Sequence, residues 1–308
     1  MWLIGLPSVR QVNEPFSLLL PVYAGDWAPH VAQAFRSTVT DQTRRPAEVV
    51  IVQDGRIAAP LASTLERLES TSPVPVSRLR LHHNVGLAQA LQCGLSTCSH
   101  DIVARMDADD ISLPHRFEVQ LPVIEAGADL VGAGMVEVAE DGTDAGALRI
   151  HPTSASDIAA AARMRSPFNH PTVVYRRTAV LEAGGYRDLP LLEDYWLFTR
   201  MISAGSRMAN VAEPLVLYRV DAGAYHRRGG VRLLRSEVRL QGHLRREGFT
   251  TRAEWLRNLT VRGGYRLVPV PIRRGLYRRA FTTSAADVAL APTGSAQTPA
   301  ATSQEECR

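Results

Sequence analysis

Short apolar runs alternate with segments of helical spacing between residues 14 and 131 of this 308-residue chain, and this alternation restricts the fold more than any other feature. In one helical segment, Leu87, Leu91 and Leu95 repeat every fourth residue on a single face. Strands that alternate with helices are typical of βαβ units, so the sequence predicts an α/β fold with a mostly parallel sheet flanked by helices. The expected strands are residues 16–20, 47–52, 78–81 and 101–106, and the expected helices are residues 26–40, 61–68 and 87–98.

The pattern changes after residue 131, where glycine-rich turns separate short apolar runs up to Arg149. We expect a hairpin or edge strands in this stretch, followed by a helix that Ser154 or Ser156 caps. Together with the first half, this region forms a predicted domain over residues 14–222. Its later elements are expected to be a helix at residues 156–164, a strand at 172–175, and helices at 178–183 and 193–204.

Arginine supplies all 35 basic residues, and it is concentrated near the end of the chain. Residues 227–279 hold fifteen arginines against three glutamates, whereas the net charge of the whole chain is only +4. Because Leu233, Val238 and Leu240 alternate with these arginines, we interpret residues 223–281 as a basic helical extension. Such a surface suits peripheral contact with an anionic membrane face, where each charge contributes about 1 kcal/mol. The alternative is a helical pair packed on the domain. Nucleic acid is not an expected partner, since no recognisable binding motif accompanies the arginines.

The longest apolar stretches are far shorter than the roughly 20 residues that a membrane-spanning helix needs. The first residues contain neither a basic leader nor an apolar run of the length that a signal peptide requires. We therefore expect a cytoplasmic protein that is at most peripheral on the membrane. Residues 282–308 are rich in Ala, Thr, Ser and Pro without periodicity, and we expect them to form a disordered tail.

Asp107, Asp109 and Asp110 follow the fourth predicted strand directly. In open α/β sheets the ligand crevice lies beyond the carboxyl ends of the strands, so these carboxylates should project into it. Three acids in four residues repel one another without a cation, and hard oxygen ligands of this kind suit Mg²⁺ or Mn²⁺. The alternative is an acidic turn that caps a helix beginning at Ile111.

Four further residues stand at places where a ligand would be held. Asp54 ends the second strand before Gly55, although Asp-Gly is also an ordinary turn. Asn84 precedes a predicted helix, where it suits an N-cap whose free N–H groups could meet phosphate. Asp194 lies at a helix N-terminus, as a cap or as a base for an attacking hydroxyl. Tyr23 ends the first strand after Pro21, either as a ring for a nucleobase or as a half-buried strand end.

Taken together, these motifs resemble those of the family 2 glycosyltransferases over residues 16–220 and in the expected order. More narrowly, they are similar to the exopolysaccharide branch that includes amylovoran-type transferases. That branch implies a GT-A fold, a nucleotide-sugar donor, a polysaccharide or lipid-linked acceptor, and inversion at the anomeric carbon. The motifs that carry the resemblance are Pro21-Val22-Tyr23, Val52-Gln53-Asp54-Gly55, Asn84-Val85-Gly86-Leu87, Asp107-Ala108-Asp109-Asp110, Asn169-His170-Pro171, Gly184-Gly185-Tyr186 and Glu193-Asp194-Tyr195.

The resemblance assigns roles to the candidate residues. Asp54 would bind the base or ribose of a nucleotide, Asp107 the ribose or the metal, and Asp109 the metal. Asp194 would be the base, and His170 is either a further participant or a structural histidine. Residues 14–131 would bind the nucleotide of a donor, most simply a UDP-sugar, and residues 132–222 the acceptor.

This sequence departs from the common pattern of the family in a few places. Gln53 stands where many members have an aspartate, which puts a two-carboxylate contact to the base in doubt. Trp196 replaces an aspartate that is frequent after Glu-Asp-Tyr, so contacts to the acceptor are expected to differ.

Two other functions fit part of the pattern. A sugar nucleotidyltransferase would need a glycine-rich loop with a basic residue after the first strand, and residues 21–26 supply none. A carbohydrate- or polyanion-binding protein would keep the same fold without turnover. Metal-dependent binding of a nucleoside diphosphate separates a transferase from such a binding module.

Overall fold

The computed structural model describes residues 13–140, 145–220, 230–267 and 283–284, and in this part of the chain one sheet is flanked by helices. The strands are β1 (Phe16–Tyr23), β2 (Glu48–Asp54), β3 (Val76–Arg80), β4 (Ile102–Arg105), β5 (Ile111–Ser112), β6 (Leu130–Val138), β7 (Ala145–Arg149), β8 (Val174–Arg176), β9 (Met208–Arg219) and β10 (Thr283–Ser284). The helices are α1 (Ala28–Phe35), α2 (Ala59–Thr71), α3 (Leu87–Thr97), α4 (Arg116–Glu125), α5 (Ala155–Ala162), α6 (Arg177–Glu182), α7 (Glu193–Ser203), α8 (Val231–Arg246), α9 (Arg252–Asn258) and α10 (Gly264–Leu267).

The first half of the sheet is parallel, with the strand order β3-β2-β1-β4. β1, β2 and β4 are buried on both faces because helices cover both sides, whereas the edge strand β3 is partly exposed. Leu18 and Leu20 of β1 face one core cluster, which includes side chains of α1 and α2, whereas Leu19 faces a second cluster that includes Leu91 of α3. This packing confirms the predicted α/β alternation, and it brings the carboxyl ends of β1, β2 and β4 to one edge.

Beyond β4 the sheet is mixed. β8 pairs antiparallel with β4 and with β6, whereas β9 runs parallel to β6 over most of its length. The expected hairpin is present as the antiparallel pair of β6 and β7. A mostly parallel sheet therefore describes the half up to β4, and the second half adds antiparallel strands that extend the same sheet.

Several predicted boundaries need correction. Thr172 belongs to a short 3₁₀ turn, His170–Thr172, and the strand begins at Val174 instead. Ser154 is the cap of α5, because its hydroxyl accepts a hydrogen bond from the backbone N–H of Asp157. The predicted tail is wrong at Thr283–Ser284, which pair with β7 because the free backbone groups of an edge strand accept a further strand. The rest of residues 282–308 lies outside the described residues.

The described part of the predicted extension, residues 230–267, is helical and packs on the domain. Leu233 and Leu240 of α8, which we assigned to a surface suited to a membrane, are instead buried against Leu192 and Trp196. The Trp196 ring also stacks on the imidazole of His243 with 4.1 Å between ring centroids. Residues 223–229 and 268–281 of the extension lie outside the described residues.

A buried ionic group joins α8 to the helices that follow it. Glu237 is fully buried and accepts hydrogen bonds from Arg262 at 2.6 and 2.9 Å and from Arg266 at 3.2 Å. Burial alone would raise the pKa of Glu237, but the two guanidinium groups hold it below its usual value. No helix in the described ranges has both the length and the apolar character needed to cross a bilayer.

Candidate active site

A cavity of about 640 Å³ lies at the edge of the sheet where β1, β2 and β4 end. Six of the seven candidate site residues predicted from the sequence line this cavity, and the seventh, Asp194, does not. Asp194 is nevertheless close, because its carboxylate interacts electrostatically with Arg105 and with Asp107 of the wall. The six predicted residues in the cavity wall are Pro21, Tyr23, Asp54, Asn84, Asp107 and Asp109.

The turn after β4 carries the acidic group. Ligand oxygens of Asp107, Asp109 and Asp110 all lie within 4.8 Å of one another. Asp109 is accessible to solvent, but the protein around it removes part of its hydration, and this desolvation together with the charge of Asp107 raises its pKa to about 6. A helix does not begin at Ile111, since β5 starts there, so the alternative of a helix-capping acidic turn is wrong.

Asp107 is held by a charged partner from the end of the strand. Arg105 is buried beneath the turn and donates hydrogen bonds to both carboxylate oxygens of Asp107, at 2.7 Å for Nη1. A guanidinium fork that pairs with both oxygens fixes the plane of the carboxylate as well as its position. Asp107 is therefore the oriented member of the group, and Asp109 is the freely accessible one.

Asp110 is fully buried and ties the turn to β9. Its Oδ1 accepts a hydrogen bond from the backbone N–H of Arg219 at 3.0 Å, whereas Oδ2 has no partner among the described residues. Burial next to Asp107 and Asp109 raises the pKa of Asp110 well above its usual value. The Arg219 side chain in turn donates hydrogen bonds to the carbonyl oxygen of Asp109 and to Gln33, so it connects the turn to β9 and to α1.

Asp54 shapes the cavity through the loop before α3. Its two carboxylate oxygens accept hydrogen bonds from the backbone N–H groups of Val85 and Gly86 at 2.7 and 3.0 Å. The N-cap of α3 is Gly86, with φ +88°, so the prediction that Asn84 caps this helix is wrong. The physical reason is that the Asp54 carboxylate, 32 residues before Gly86, already accepts the hydrogen bond from the Gly86 N–H, which the Asn84 side chain would have to accept as a cap.

Gly55 is required where this loop meets β2. Its φ of +85° is unfavourable for residues with a β-carbon. A β-carbon at this position would also lie 2.6 Å from the backbone nitrogen of Asn84. The Asp-Gly pair is thus more than an ordinary turn, since it brings the backbone of the next loop into direct contact with the end of β2.

Asp26, like Glu140, is an acid in the cavity wall that the sequence reasoning missed. Its Oδ2 accepts a hydrogen bond from the backbone N–H of Tyr23 at 2.8 Å, and both residues line the cavity. Burial, together with the charges of Asp109 and Asp107, raises the pKa of Asp26 to about 7. The Tyr23 ring is half exposed and covers Gly25.

Glu193 and Asp194 begin α7, where the helix dipole favours negative charge. Burial beside Asp194 raises the pKa of Glu193 to about 8. Burial also raises the pKa of Asp194 to about 6, against the lowering effect of backbone hydrogen bonds and of Arg105. An aspartate in this range is ionised at neutral pH and still basic enough to accept a proton.

His170 lies below the site rather than in it. It is buried, its Nε2 is 2.9 Å from the Tyr186 hydroxyl, and it is not among the residues that line the cavity. Burial lowers its pKa well below the usual value, so the ring is neutral. This geometry favours a structural role for His170 over participation in the reaction.

The acidic turn has the chemistry of a divalent cation site. Hard cations take carboxylate oxygens, and the Asp107, Asp109 and Asp110 carboxylates offer such oxygens within one ion's reach. The raised pKa values of Asp109 and Asp110 report mutual repulsion and burial that a bound cation would offset. The donor set therefore fits a metal such as Mg²⁺ or Mn²⁺.

Two arginines complete the wall and were also missed. Arg219 comes from β9, and Arg232 comes from α8 in the basic extension. Neither is near the acidic turn in sequence, so no spacing signal could have joined them to it. Arg105 is local to the turn, because it lies two residues before Asp107 at the end of β4.

Comparison with known proteins agrees with this geometry. The family model described as glycosyl transferase family 2 matches residues 17–185. The chain is 35% identical over 269 residues to the amylovoran biosynthesis glycosyltransferase AmsE of Erwinia amylovora, covering 86% of this chain and 98% of that protein. It is 30% identical over 266 residues to the UDP-Gal:alpha-D-GlcNAc-diphosphoundecaprenol beta-1,3-galactosyltransferase of Escherichia coli, covering 86% and 95%.

A solved structure gives the same fold at low identity. The mannosyltransferase PcManGT from Pyrobaculum calidifontis, in complex with GDP-Man and Mn²⁺, superposes with a TM-score of 0.60 at 17% identity. The match covers 91% of this chain and 79% of that one. The expected GT-A fold and the resemblance to the exopolysaccharide branch are thereby confirmed. The chain belongs to glycosyl transferase family 2 and is a glycosyltransferase.

Proposed function

We propose that this glycosyltransferase moves a sugar from a nucleoside-diphosphate sugar to a hydroxyl of a saccharide acceptor, with inversion at the anomeric carbon. The observation that carries the proposal is the meeting of Asp54, Asp107 and Asp109 in one cavity, next to the helix that begins with Glu193 and Asp194. The first group serves the donor and the second serves the acceptor. In this division, residues 14–131 hold the nucleotide and residues 132–222 hold the acceptor.

On the donor side, we assign the roles by whether the carboxylate oxygens of each aspartate are exposed or already hydrogen-bonded. Asp109 is the exposed carboxylate, so it is the first ligand for Mg²⁺ or Mn²⁺, and Asp107, oriented by Arg105, contacts the ribose or the same ion. A bound divalent cation would neutralise charge that grows on the departing diphosphate. Asp54 acts mainly through the loop it holds, since both its oxygens already accept backbone N–H groups.

The base or ribose of the nucleotide then lies against Pro21, Tyr23 and Asn84, which line the same cavity. The half-exposed Tyr23 ring offers a flat apolar surface of the kind on which a nucleobase stacks. UDP is the nucleotide we expect first, because the E. coli relative is named for a UDP-Gal donor. A saccharide carried on a lipid diphosphate is the acceptor we expect, on the same ground, with a polysaccharide end as the second choice.

On the acceptor side, Asp194 takes the proton from the attacking hydroxyl. The acceptor oxygen forms the new bond to the anomeric carbon while the bond to the donor diphosphate breaks, and the proton stays on the Asp194 carboxylate. A single base and a single displacement give inversion. A lipid-linked acceptor would bring the enzyme to the cytoplasmic face of a membrane, where peripheral contact is sufficient.

Calorimetric titration of the protein with UDP-, GDP- and dTDP-sugars, each with and without Mn²⁺ or Mg²⁺, tests the proposal. We expect one nucleotide series to bind only when the metal is present, and slow hydrolysis of the donor to follow. Absence of metal-dependent binding in all three series would contradict the donor class. A nucleotide that binds without any turnover would instead favour the non-catalytic carbohydrate-binding function.

A further inference from the structure

Helix α8 contributes an arginine to a cavity whose other chemistry comes from the domain before it. Arg232 lies in the first turn of α8 and lines the cavity together with Asp107, Asp109 and Leu191. This helix begins 46 residues after the stretch that matches the family model ends. The family match therefore assigns nothing to it.

Arg232 is the first of three arginines on one side of α8. Arg235 and Arg239 follow it at spacings of three and four residues, which places all three on one helix face along about 10 Å of the axis. We call Arg232, Arg235 and Arg239 the arginine row. All three are exposed, and within the described ranges none of them forms an ion pair.

On the exposed side of α8 itself, the arginine row is accompanied by apolar side chains and by no acid. Val231 and Val238, which flank it on the same side of the helix, are 58% and 50% exposed. The acid within α8 is Glu237, which is buried on the opposite side and already paired with Arg262 and Arg266. The exposed side of α8 is therefore purely cationic and apolar.

The arginine row has a fixed position relative to the proposed base. Leu233 and Leu240 of α8 pack in one cluster with Leu192 and Tyr195, the residues on either side of Glu193 and Asp194 in α7. The Trp196 indole N–H also donates to Glu247, which follows α8 directly. A group bound along the arginine row is thus held at a defined place relative to the start of α7, where Asp194 lies.

We propose that the arginine row binds the diphosphate of a lipid-linked acceptor, with Val231 and Val238 against the first part of the lipid chain. This inference rests on the proposed function. Guanidinium groups pair with phosphate oxygens through two parallel hydrogen bonds, and three of them match a group with several negative charges. The donor diphosphate is a poorer match, because it belongs at Asp107 and Asp109 and only Arg232 of the row reaches that cavity.

The test is a binding titration with farnesyl diphosphate as a soluble probe, in the presence of saturating UDP and Mn²⁺ to occupy the donor side. The variant is Arg235→Ala combined with Arg239→Ala, which leaves every residue in the cavity wall intact. The matched control is Arg67→Ala combined with Arg252→Ala, which removes two other exposed arginines from α2 and α9. Farnesol, which lacks the diphosphate, and vesicles of phosphatidylglycerol complete the set of ligands.

We expect the wild-type protein and the control to bind farnesyl diphosphate with equal affinity. The α8 variant should bind it at least about tenfold more weakly, because each guanidinium–phosphate pair that is lost removes a charge-assisted contribution to the binding free energy. Farnesol should bind weakly to all three proteins. Equal binding by the variant, equal binding of farnesol, no binding by the wild type, or capture by vesicles alone would each overturn the proposal. Metal-dependent binding of UDP alone, measured on the same samples, reports separately on the proposed function.

Discussion

Arg105 and Asp107 form a bidentate ion pair in which the guanidinium is buried and the carboxylate lines the cavity. The arginine lies at the last position of β4, so the strand that ends at the site also supplies the group that orients its first acid. An acid held in this way needs little reorganisation when a ligand arrives, and this preorganisation is the source of much catalytic electrostatics.

Arg105→Lys should therefore lower the transfer rate by about tenfold to a hundredfold while the protein stays folded, because an ammonium keeps the charge but cannot pair with both oxygens. Steady-state kinetics with varied donor measure the effect, and we expect the KM for the donor to rise. Thermal unfolding of the same sample is the control for folding. Kinetics equal to those of the wild type would show that the orientation of Asp107 is unimportant.

Asp109→Asn and Asp194→Asn should both abolish transfer but differ in what they bind. The first removes the exposed ligand for the metal, so metal-dependent binding of nucleotide should weaken by about tenfold or more. The second removes a proton acceptor on the acceptor side, so nucleotide binding should stay nearly unchanged. Calorimetry separates the two variants, and an Asp194→Asn protein that turns over at a rate near that of the wild type would disprove the base assignment.

The rate of transfer should fall as the pH drops through about 6. The proposed base must be ionised, and burial raises the pKa of Asp194 to about 6, so each further unit of acidity should cost about tenfold in rate. The matched variant is Glu193→Gln, which should keep this acid limb in place. A limb near pH 8 in the wild type that disappears in Glu193→Gln would instead identify Glu193 as the base.

Glu193→Gln should also change how stability depends on pH. The folded-state pKa of about 8 lies above the ordinary value of 4.5, so the protonated form is favoured by folding. The stabilisation is complete below pH 4.5 and is lost as the pH rises through 8. Because one pKa unit corresponds to about 1.4 kcal/mol, the variant should be more stable than the wild type at pH 8.5 by at least about 1 kcal/mol. Chemical denaturation at pH 5 and pH 8.5 measures this, and an equal difference at both values would contradict it.

The packing of α8 on α7 should be sensitive to core deletions. Leu240→Ala removes a fully buried side chain from the cluster that contains Tyr195 and Trp196, so we expect a loss of about 2–4 kcal/mol in the free energy of unfolding. Val238→Ala, two residues earlier but half exposed, should cost less than about 0.5 kcal/mol. Denaturant titrations of the two variants compare them directly, and similar losses would mean that α8 is not held by this cluster.

The sequence was informative for the candidate site residues that lie at the ends of strands. Asp54, Asp107 and Asp109 each close a strand or follow one, and parallel strands bring such ends together without further information. The same rule located Pro21 and Tyr23. The fold class followed from the alternation of apolar runs and helices, because both faces of the parallel half are covered.

What the sequence did not reveal depends on contacts between distant segments. Asn84 looked like a helix cap, yet Asp54 takes the N–H groups of that turn. The link from Asp110 to Arg219 spans 109 residues and has no local signature. Arg232 was counted only as part of a basic region, since composition records how many charges a segment has and not which way each one faces.

The burial of Glu237 between Arg262 and Arg266 has a consequence for the response of this protein to ionic strength. Two of the extension's arginines share the single carboxylate of Glu237 inside the fold, and mobile ions screen such interior pairs far less than solvated charges. The number of counterions that an anionic ligand displaces from the arginine row should therefore follow the solvated guanidiniums along α8, without a contribution from Arg262 and Arg266. A plot of binding affinity against salt concentration should have a correspondingly shallow slope.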